Sequence, residues 1–196
     1  MSGCAIGLLR HGEAVGGPRY RGSTDDPLTL AGWMQMVAAI ESVPIAWARI
    51  ISSPLQRCAA FAAGLASHLQ IPLQLEMRLR ELDFGAWEGR TSAELLQHER
   101  PALLRFWADP VRYPPPQAET LAQLQARVLA VWRELREGPQ PTLIISHGGP
   151  IRIILGHLQR LPLQRLLELD LPYATLRCLT SAEVAAGRRA AAVRRP

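Results

Sequence analysis

The chain has 196 residues, 48% of them hydrophobic, and carries a formal net charge of +5. This length fits one domain with a packed core, which excludes global disorder. Three cysteines without metal-like spacing exclude a disulfide framework and a zinc site. We expect neither a signal peptide nor a membrane span, which needs ~18 uninterrupted apolar residues, and therefore expect a soluble cytoplasmic protein.

All 22 basic residues are arginine. The lack of lysine excludes a Walker phosphate loop, a lysine Schiff base and a Ser-Lys dyad. An oxyanion must then be held by arginine, histidine, backbone amides or a metal ion. The arginines are scattered except near the C-terminus, which predicts a flexible basic tail at 186–196 after a single domain at 1–185, not a nucleic-acid surface.

Three segments share one pattern, in which a short apolar run is followed by a polar cluster and then by a helical pattern. The apolar runs are residues 5–9, 48–51 and 142–145, and the polar clusters begin at Arg10, Ser52 and Ser146. Each run indicates a buried strand whose C-terminal end turns toward a loop or a helix.

Helical patterns lie between these strands. One helix is expected over about 29–42, with Gly32 a mild cost inside it. Another is expected to start at Ser53, with Pro54 in the first helical position and Gln56 completing a capping box. A third starts at Thr120 and ends near residue 138. The alternation predicts an α/β fold, namely a three-layer α/β/α sandwich with a mostly parallel central sheet.

Ligands of open α/β sheets bind beyond the carboxyl ends of the strands. Arg10, His11 and His147 fall there, and Arg57 falls in the first turn of the helix after the second strand. We expect these four side chains to converge around a dianion, since arginine forks suit phosphate oxygens. A neutral imidazole could then attack phosphorus and hold it as phosphohistidine.

Backbone amides should add to this anion site. Gly148 and Gly149 open a helix at the same edge of the sheet, so their amides are expected to point inward. The leaving alkoxide also needs a proton, and Glu81, Asp83 and Glu88 are candidate acids that position alone does not rank. Two histidines and two arginines without a nearby carboxylate pair argue against a metal site, so we expect no metal and no cofactor.

Five sequence runs, in this order, resemble the motifs of the histidine phosphatase superfamily, the phosphoglycerate mutase-like group. They are LRHGE at 9–13, GSTDDPLT at 22–29, SSPLQR at 52–57, ELDFGAWEG at 81–89 and SHGGPIR at 146–152. The resemblance implies a phosphoglycerate mutase-like fold and a phosphatase in which His11 is phosphorylated. It implies that Arg10, Arg57 and His147 bind the phosphoryl group and that Glu81 protonates the leaving group.

Within the superfamily the sequence is similar to the α-ribazole phosphatase branch, through residues 21–29, 83–89 and 107–119. This implies α-ribazole 5′-phosphate or adenosylcobalamin 5′-phosphate as substrate, with Ser23, Thr24, Trp87 and Glu119 in the outer pocket. Trp87 is also typical of a packing residue. Ala14 and Gly17 stand where many members carry a threonine and an asparagine, and Ala118 stands where many carry a glycine. These departures affect the outer pocket more than the phosphoryl cage.

Two other functions stay open from the sequence: a phosphatase for another small ester, such as a sugar phosphate or phosphoglycerate, and a catalytically silent phospho-ligand binder. The expected partner is a small-molecule phosphate ester, not nucleic acid or a membrane, and the choice between monomer and homodimer is open.

Overall fold

The computed structural model describes residues 4–139 and 141–185. The strands in these ranges are β1 (Cys4–Arg10), β2 (Arg49–Ser52), β3 (Leu73–Leu75), β4 (Thr142–Ser146) and β5 (Leu176–Thr180). The α-helices are α1 (Leu30–Glu41), α2 (Gln56–Leu69), α3 (Ser92–His98), α4 (Arg100–Ala108), α5 (Leu121–Leu135) and α6 (Gly148–Gln159). Short 3-10 helices cover Met77–Leu79, Gly85–Trp87 and Leu163–Glu168. The predicted basic tail at 186–196 lies outside the described residues.

The strands form one sheet in the order β3-β2-β4-β1-β5. β1, β2, β3 and β4 run parallel to one another, and β5 pairs antiparallel with β1 at one edge. The predicted mostly parallel sheet is therefore confirmed. Because β4 lies between β1 and β2, the carboxyl ends of the three predicted strands are neighbours.

Helices cover both faces of the sheet, which confirms the three-layer sandwich. Along β1, Ile6 and Leu8 point to the face covered by α5 and α6, whereas Leu9 points to the face covered by α1 and α2. This alternation follows from the two-residue period of a strand. A smaller third cluster packs α3 and α4 against Trp87.

The start of α2 differs from its prediction. The helix begins at Gln56 and not at Pro54, and the hydroxyl of Ser53 does not cap it. That hydroxyl lies 2.7 Å from Nε2 of His147, while the Gln56 amide donates to the Asp25 carboxylate at 2.7 Å. The predicted capping box is therefore wrong, because Ser53 is used at the sheet edge and a distant aspartate takes the helix amide.

Gly32 has a packing role that the sequence did not indicate. A Cβ atom at Gly32 would lie 2.0 Å from the carbonyl oxygen of Glu13, and one at Gly12 would lie 2.0 Å from the carbonyl oxygen of Gly32. Real Cβ atoms do not approach backbone this closely, so α1 can pack on the loop after β1 only where both residues lack a side chain. The contact fixes the segment that follows His11.

In the described ranges, 4–139 and 141–185, no helix combines the length and the apolar character needed to cross a membrane.

Candidate active site

The polar residues that follow β1, β2 and β4 meet at one edge of the sheet. The His11 amide donates to the Ser146 carbonyl at 3.0 Å, and the Ser53 amide donates to the Ile145 carbonyl at 2.9 Å. The rings of His11 and His147 lie 5.1 Å apart, edge to face. The sheet order thus brings together groups that are far apart in the chain.

His11 presents one ring nitrogen for chemistry. Its Nδ1 lies 2.7 Å from the carbonyl oxygen of Gly12. A carbonyl oxygen only accepts, so Nδ1 carries the proton and Nε2 keeps its lone pair. Nε2 has no hydrogen-bond partner in the described part of the chain, and His11 lines a cavity of about 260 Å³. The geometry is that of a neutral imidazole nucleophile.

Both histidines are held in the neutral form. Burial, followed by the charges of Arg57 and Arg10, lowers the pKa of His11 to about 3 against the opposing effect of the Gly12 hydrogen bond. Burial, followed by the charges of Arg57 and His11, also holds the pKa of His147 well below its usual value. At neutral pH the lone pair on Nε2 of His11 is therefore available for attack.

His147 lies behind His11 and is fully buried. Nε of Arg57 lies 3.2 Å from its Nδ1, and since a guanidinium only donates, Nδ1 accepts. The neutral ring then carries its proton on Nε2, which donates to the Ser53 hydroxyl at 2.7 Å. Both ring nitrogens are therefore occupied, and direct contact between His147 and a phosphoryl group stays a prediction.

Arg57 is also fully buried. Its terminal nitrogens donate to the carbonyl of Thr24 at 2.7 Å and to that of Gly22 at 2.9 Å. No carboxylate forms an ion pair with it among residues 4–139 and 141–185. Arg57 thus places an uncompensated positive charge beneath the two histidines, which favours an anion in the cavity.

Arg10 lies in the cavity wall. Nη1 donates to the Leu171 carbonyl, and the guanidinium carbon lies 4.5 Å above the ring of Tyr173, which is itself 5.6 Å from the His11 ring. Nε of Arg10 is buried and has no hydrogen-bond partner in the part of the chain described. An unpaired buried donor costs about 1–3 kcal/mol, and an anion bound beside His11 would supply the acceptor.

Glu81 is the one carboxylate in the cavity wall formed by the described residues. Its Oε1 accepts from the amides of Leu82 and Gly149, both at 2.9 Å. The Gly149 amide lies in the first turn of α6, where the positive end of the helix dipole stabilises a negative charge. In this structure that amide therefore binds Glu81, and the predicted phosphate contacts of Gly148 and Gly149 stay predictions.

The other two candidate acids have structural partners. Glu88 accepts hydrogen bonds from the amides of Gly22, Ser23, Thr24 and Phe84. Burial raises the pKa of Glu88, but the hydrogen bonds outweigh it and the net pKa lies below the usual value. Asp83 accepts from the Gly85 amide at 2.8 Å. Neither side chain lines the cavity, so geometry favours Glu81 among the three.

Arg127 fixes the backbone on which Glu81 stands. It donates to the carbonyl oxygens of Arg78 and Arg80 at 2.7 Å and of Glu81 at 2.9 Å. Glu119 in turn accepts from Arg127 at 2.6 and 2.7 Å. Glu119 does not line the cavity, so this geometry gives it a positioning role and does not support its predicted contact with substrate.

Three other predicted substrate contacts also lie away from the cavity wall. Ser23 is exposed, and the Thr24 hydroxyl donates to Glu88 at 2.6 Å. Trp87 is 1% exposed, and its indole N–H donates to Glu99 at 2.9 Å. Of its two predicted roles, Trp87 has the packing one here. The structure thus brings Arg10, His11 and Glu81 to the cavity but leaves these three side chains outside it.

Several residues of the cavity wall were not predicted from the sequence. Arg152 lies one turn into α6, inside a matched motif but without an assigned role, and its Nε donates to the Leu169 carbonyl at 2.9 Å. Tyr173 follows a segment with no recognisable pattern. The wall also contains Arg19, Tyr20, Arg21, Phe84, Phe106, Trp107 and Leu167. Only their spatial contacts identify them.

No group of three or more His, Cys, Asp or Glu side chains that could hold a metal ion is present in the parts of the chain described here. Metal independence stays a prediction, to be tested with a chelator.

The histidine pKa values predict how stability depends on pH. An unfolded histidine takes up a proton near pH 6.5, whereas folded His11 does so only near pH 3. Below pH 6.5 the unfolded state therefore binds more protons, and the free energy of unfolding falls by up to about 1.4 kcal/mol per pH unit for such a group. This contribution to stability is complete above pH 6.5 and is lost as the pH falls.

We expect His11→Asn to reduce that slope. Urea unfolding of wild type and variant at pH 7, 6 and 5 gives the free energy of unfolding of each. In the difference between the two proteins the titration of the carboxylates cancels. The wild-type slope between pH 6 and 5 should be steeper by about 1 kcal/mol per pH unit. Parallel slopes would contradict the buried neutral state of His11.

Residues 6–191 match the family model of the histidine phosphatase superfamily, branch 1. The chain is similar to a Mycobacterium tuberculosis protein described as bifunctional, with 34% identity over 154 residues. That match covers 76% of this chain but only 42% of the relative, so the chain spans less than half of that protein's length.

Two further comparisons cover most of both chains. Glucosyl-3-phosphoglycerate phosphatase of Mycolicibacterium vanbaalenii is 30% identical over 170 residues, which are 79% of this chain and 74% of the relative. The solved structure of the α-ribazole phosphatase from Shigella flexneri superposes with a TM-score of 0.73 at 25% identity and covers 90% of this chain and 96% of that one. Both relatives are named as phosphatases, with different substrates.

Proposed function

The chain belongs to the histidine phosphatase superfamily, and from that premise we propose that it is a phosphoric monoester hydrolase that acts through a phosphohistidine at Nε2 of His11. The observation that carries the proposal is the hydrogen bond from Nδ1 to Gly12, which leaves Nε2 unprotonated at the cavity. The unpaired Nε of Arg10 offers a hydrogen bond to a phosphate dianion, and the buried positive charge of Arg57 complements its negative charge.

In the first step, the Nε2 lone pair of His11 forms a bond to phosphorus while the bond from phosphorus to the ester oxygen breaks. Arg10 hydrogen-bonds the equatorial oxygens and Arg57 stabilises their charge from below, since its N–H groups already bind loop carbonyls. Such preorganised charge supplies most of the catalysis of phosphoryl transfer. Glu81 enters this step as the carboxylic acid and gives its proton to the departing oxygen.

In the second step, the carboxylate of Glu81 takes a proton from water as the water oxygen attacks phosphorus. The bond from phosphorus to Nε2 breaks, inorganic phosphate leaves and His11 is again neutral. Glu81 ends protonated, ready for the next ester. His147 would keep Arg57 in place through its Nδ1 in both steps.

For the substrate we propose α-ribazole 5′-phosphate or the related adenosylcobalamin 5′-phosphate. The resemblance of residues 21–29, 83–89 and 107–119 to that branch supports this, as does the similarity to the Shigella enzyme. A second candidate is an ester with an additional anionic group, such as a phosphoglycerate. It is favoured by the positive charge of the cavity wall. Arg19, Arg21 and Arg152 line the cavity together with Arg10, and Glu81 is the one carboxylate among the described residues of the wall.

The substrate test compares kcat/KM for α-ribazole 5′-phosphate, 3-phosphoglycerate and glucose 6-phosphate, each with a chelator present. We expect α-ribazole 5′-phosphate to be preferred by at least about tenfold, or 1.4 kcal/mol of transition-state binding. A preference for 3-phosphoglycerate would favour the second candidate. Failure to hydrolyse even 4-nitrophenyl phosphate would contradict the hydrolase itself and favour a silent binder, whereas loss of activity with chelator would contradict metal independence.

We further propose that residues 1–185 act as one domain in the cytoplasm, on a small-molecule ester and without nucleic acid or membrane partners. Homodimer formation stays open.

A further inference from the structure

Resting on the proposed function, we infer that Trp107 is a platform for a planar aromatic ring in the leaving group, so that the enzyme prefers phosphate esters that carry such a ring. Trp107 lines the same cavity as His11 and Glu81. Trp107 is 43% exposed, in contrast to Phe106 beside it, which is 4% exposed.

The indole ring of Trp107 is held in one orientation. Its Nε1 donates to the hydroxyl of Tyr20 at 2.9 Å. Tyr20 is itself fixed, since its backbone bonds Gly89 and Arg90 at 2.8 Å. The hydrogen bond uses the polar edge of the indole and leaves a ring face for contact with a ligand.

The support beneath this pair is rigid and aromatic. The Tyr20 ring packs at 5.1 Å from Phe84, 5.4 Å from Trp87 and 6.3 Å from Phe106. Trp87 and Phe106 belong to the buried cluster that α3 and α4 form. Trp107, the residue after the buried Phe106, is therefore exposed to solvent on a rigid aromatic support. Such preorganisation lowers the entropy lost when a ligand binds.

The end of α4 is fixed as well. The Asp109 amide donates to the Arg105 carbonyl at 2.9 Å, and the Asp109 carboxylate accepts from the amides of Val111 and Arg112 at 3.1 and 3.0 Å. A single exposed tryptophan on a flat surface needs no explanation. One that is oriented by a hydrogen bond in the wall of a concave, mainly apolar site is placed to recognise a ligand.

The test uses two alkyl phosphates with leaving groups of similar basicity, 2-phenylethyl phosphate and 2-cyclohexylethyl phosphate, of which only the first carries a planar aromatic ring. For Trp107→Leu we expect kcat/KM to fall roughly tenfold for the phenyl ester, mainly through KM, since an aromatic pair contributes about that factor. The cyclohexyl ester should lose less than about threefold. Trp107→Phe, which keeps a planar ring, should stay within about threefold of wild type on both esters.

Leu167 provides the matched control. It lines the same cavity and is likewise 43% exposed, but it is aliphatic. Leu167→Ala should change both esters by the same factor. Equal losses on the two esters in Trp107→Leu would overturn the inference and leave Trp107 as a packing residue, as would wild-type values in that variant.

A binding measurement separates this inference from the proposed function. Calorimetry of 2-phenylethylphosphonate and 2-cyclohexylethylphosphonate needs no turnover. Tighter binding of the phenyl compound to wild type, lost in Trp107→Leu, would support the aromatic platform even if neither ester were hydrolysed. Hydrolysis of both esters with equal binding of the two phosphonates would overturn the platform and leave the phosphatase intact.

Discussion

His11→Ala is expected to lower kcat/KM for every phosphate ester by at least about 10³-fold, because removal of a nucleophile commonly has that effect. The structure gives the reason in atomic terms. Nε2 is the nitrogen without a proton or a partner in the described chain, and the second histidine, His147, uses both ring nitrogens to bind Arg57 and Ser53. No neighbouring imidazole can therefore replace the lost nucleophile without rearrangement.

The measurement is turnover of 4-nitrophenyl phosphate together with a trapping experiment on a ³²P-labelled ester. Wild type quenched in base should carry label that is stable in base and lost in acid, as a phosphoramidate is, and His11→Ala should carry none. His98→Ala, an exposed histidine at the end of α3, serves as the control and should keep both label and turnover. Label retained in His11→Ala would show that another residue is the nucleophile.

The parts of the site that the sequence predicts are those attached to regular structure. Arg10, His11 and His147 each follow a short apolar run, and a buried parallel strand places its C-terminal residues at a known edge of the sheet. The mostly parallel sheet and its two helical layers are predicted for the same reason, since apolar periodicity records which face of an element is buried. The antiparallel strand β5 at the edge carries no such signal.

The parts that the sequence misses depend on contacts between distant loops. Tyr173 reaches Arg10 and His11 from a segment 162 residues further along than His11, as the residue numbers show, and no local pattern marks it. The sequence does not distinguish Trp107 from Trp87, and only the fold shows that Trp87 is buried and Trp107 is exposed. The capping prediction at Ser53 failed because local chemistry suited a helix start while His147 took the hydroxyl. Tertiary partners decide such cases, and residue type alone does not.

Glu81 is an intermediate case, because spacing left it equal to Asp83 and Glu88 and the structure separates the three. The Glu88 carboxylate accepts hydrogen bonds from backbone amides, and Asp83 stabilises the turn at Gly85. Glu81 alone of the three lines the cavity. The selection rests on where each carboxylate points, which in turn rests on the backbone frame that Arg127 provides.

Glu81→Gln is expected to produce losses that depend on the leaving group. The amide oxygen of glutamine can still accept from Gly149 and Leu82, so the local backbone should be kept, but the side chain has no acidic proton to transfer. General acid catalysis contributes roughly 10²–10⁴-fold where the leaving oxygen is basic. Phenylethyl phosphate should therefore lose about 10²-fold or more in kcat, and 4-nitrophenyl phosphate, whose anion leaves unaided, less than about tenfold.

Asp83→Asn is the matched control, since it removes a carboxylate two residues away that lies outside the cavity wall. Its ratio of alkyl to aryl rates should equal that of wild type, even if the lost charge at the Gly85 turn lowers both rates. In Glu81→Gln the same ratio should fall by at least about tenfold. A purely structural defect slows both esters alike. An unchanged ratio in Glu81→Gln would therefore show that Glu81 does not transfer the proton and acts only as the cap of α6.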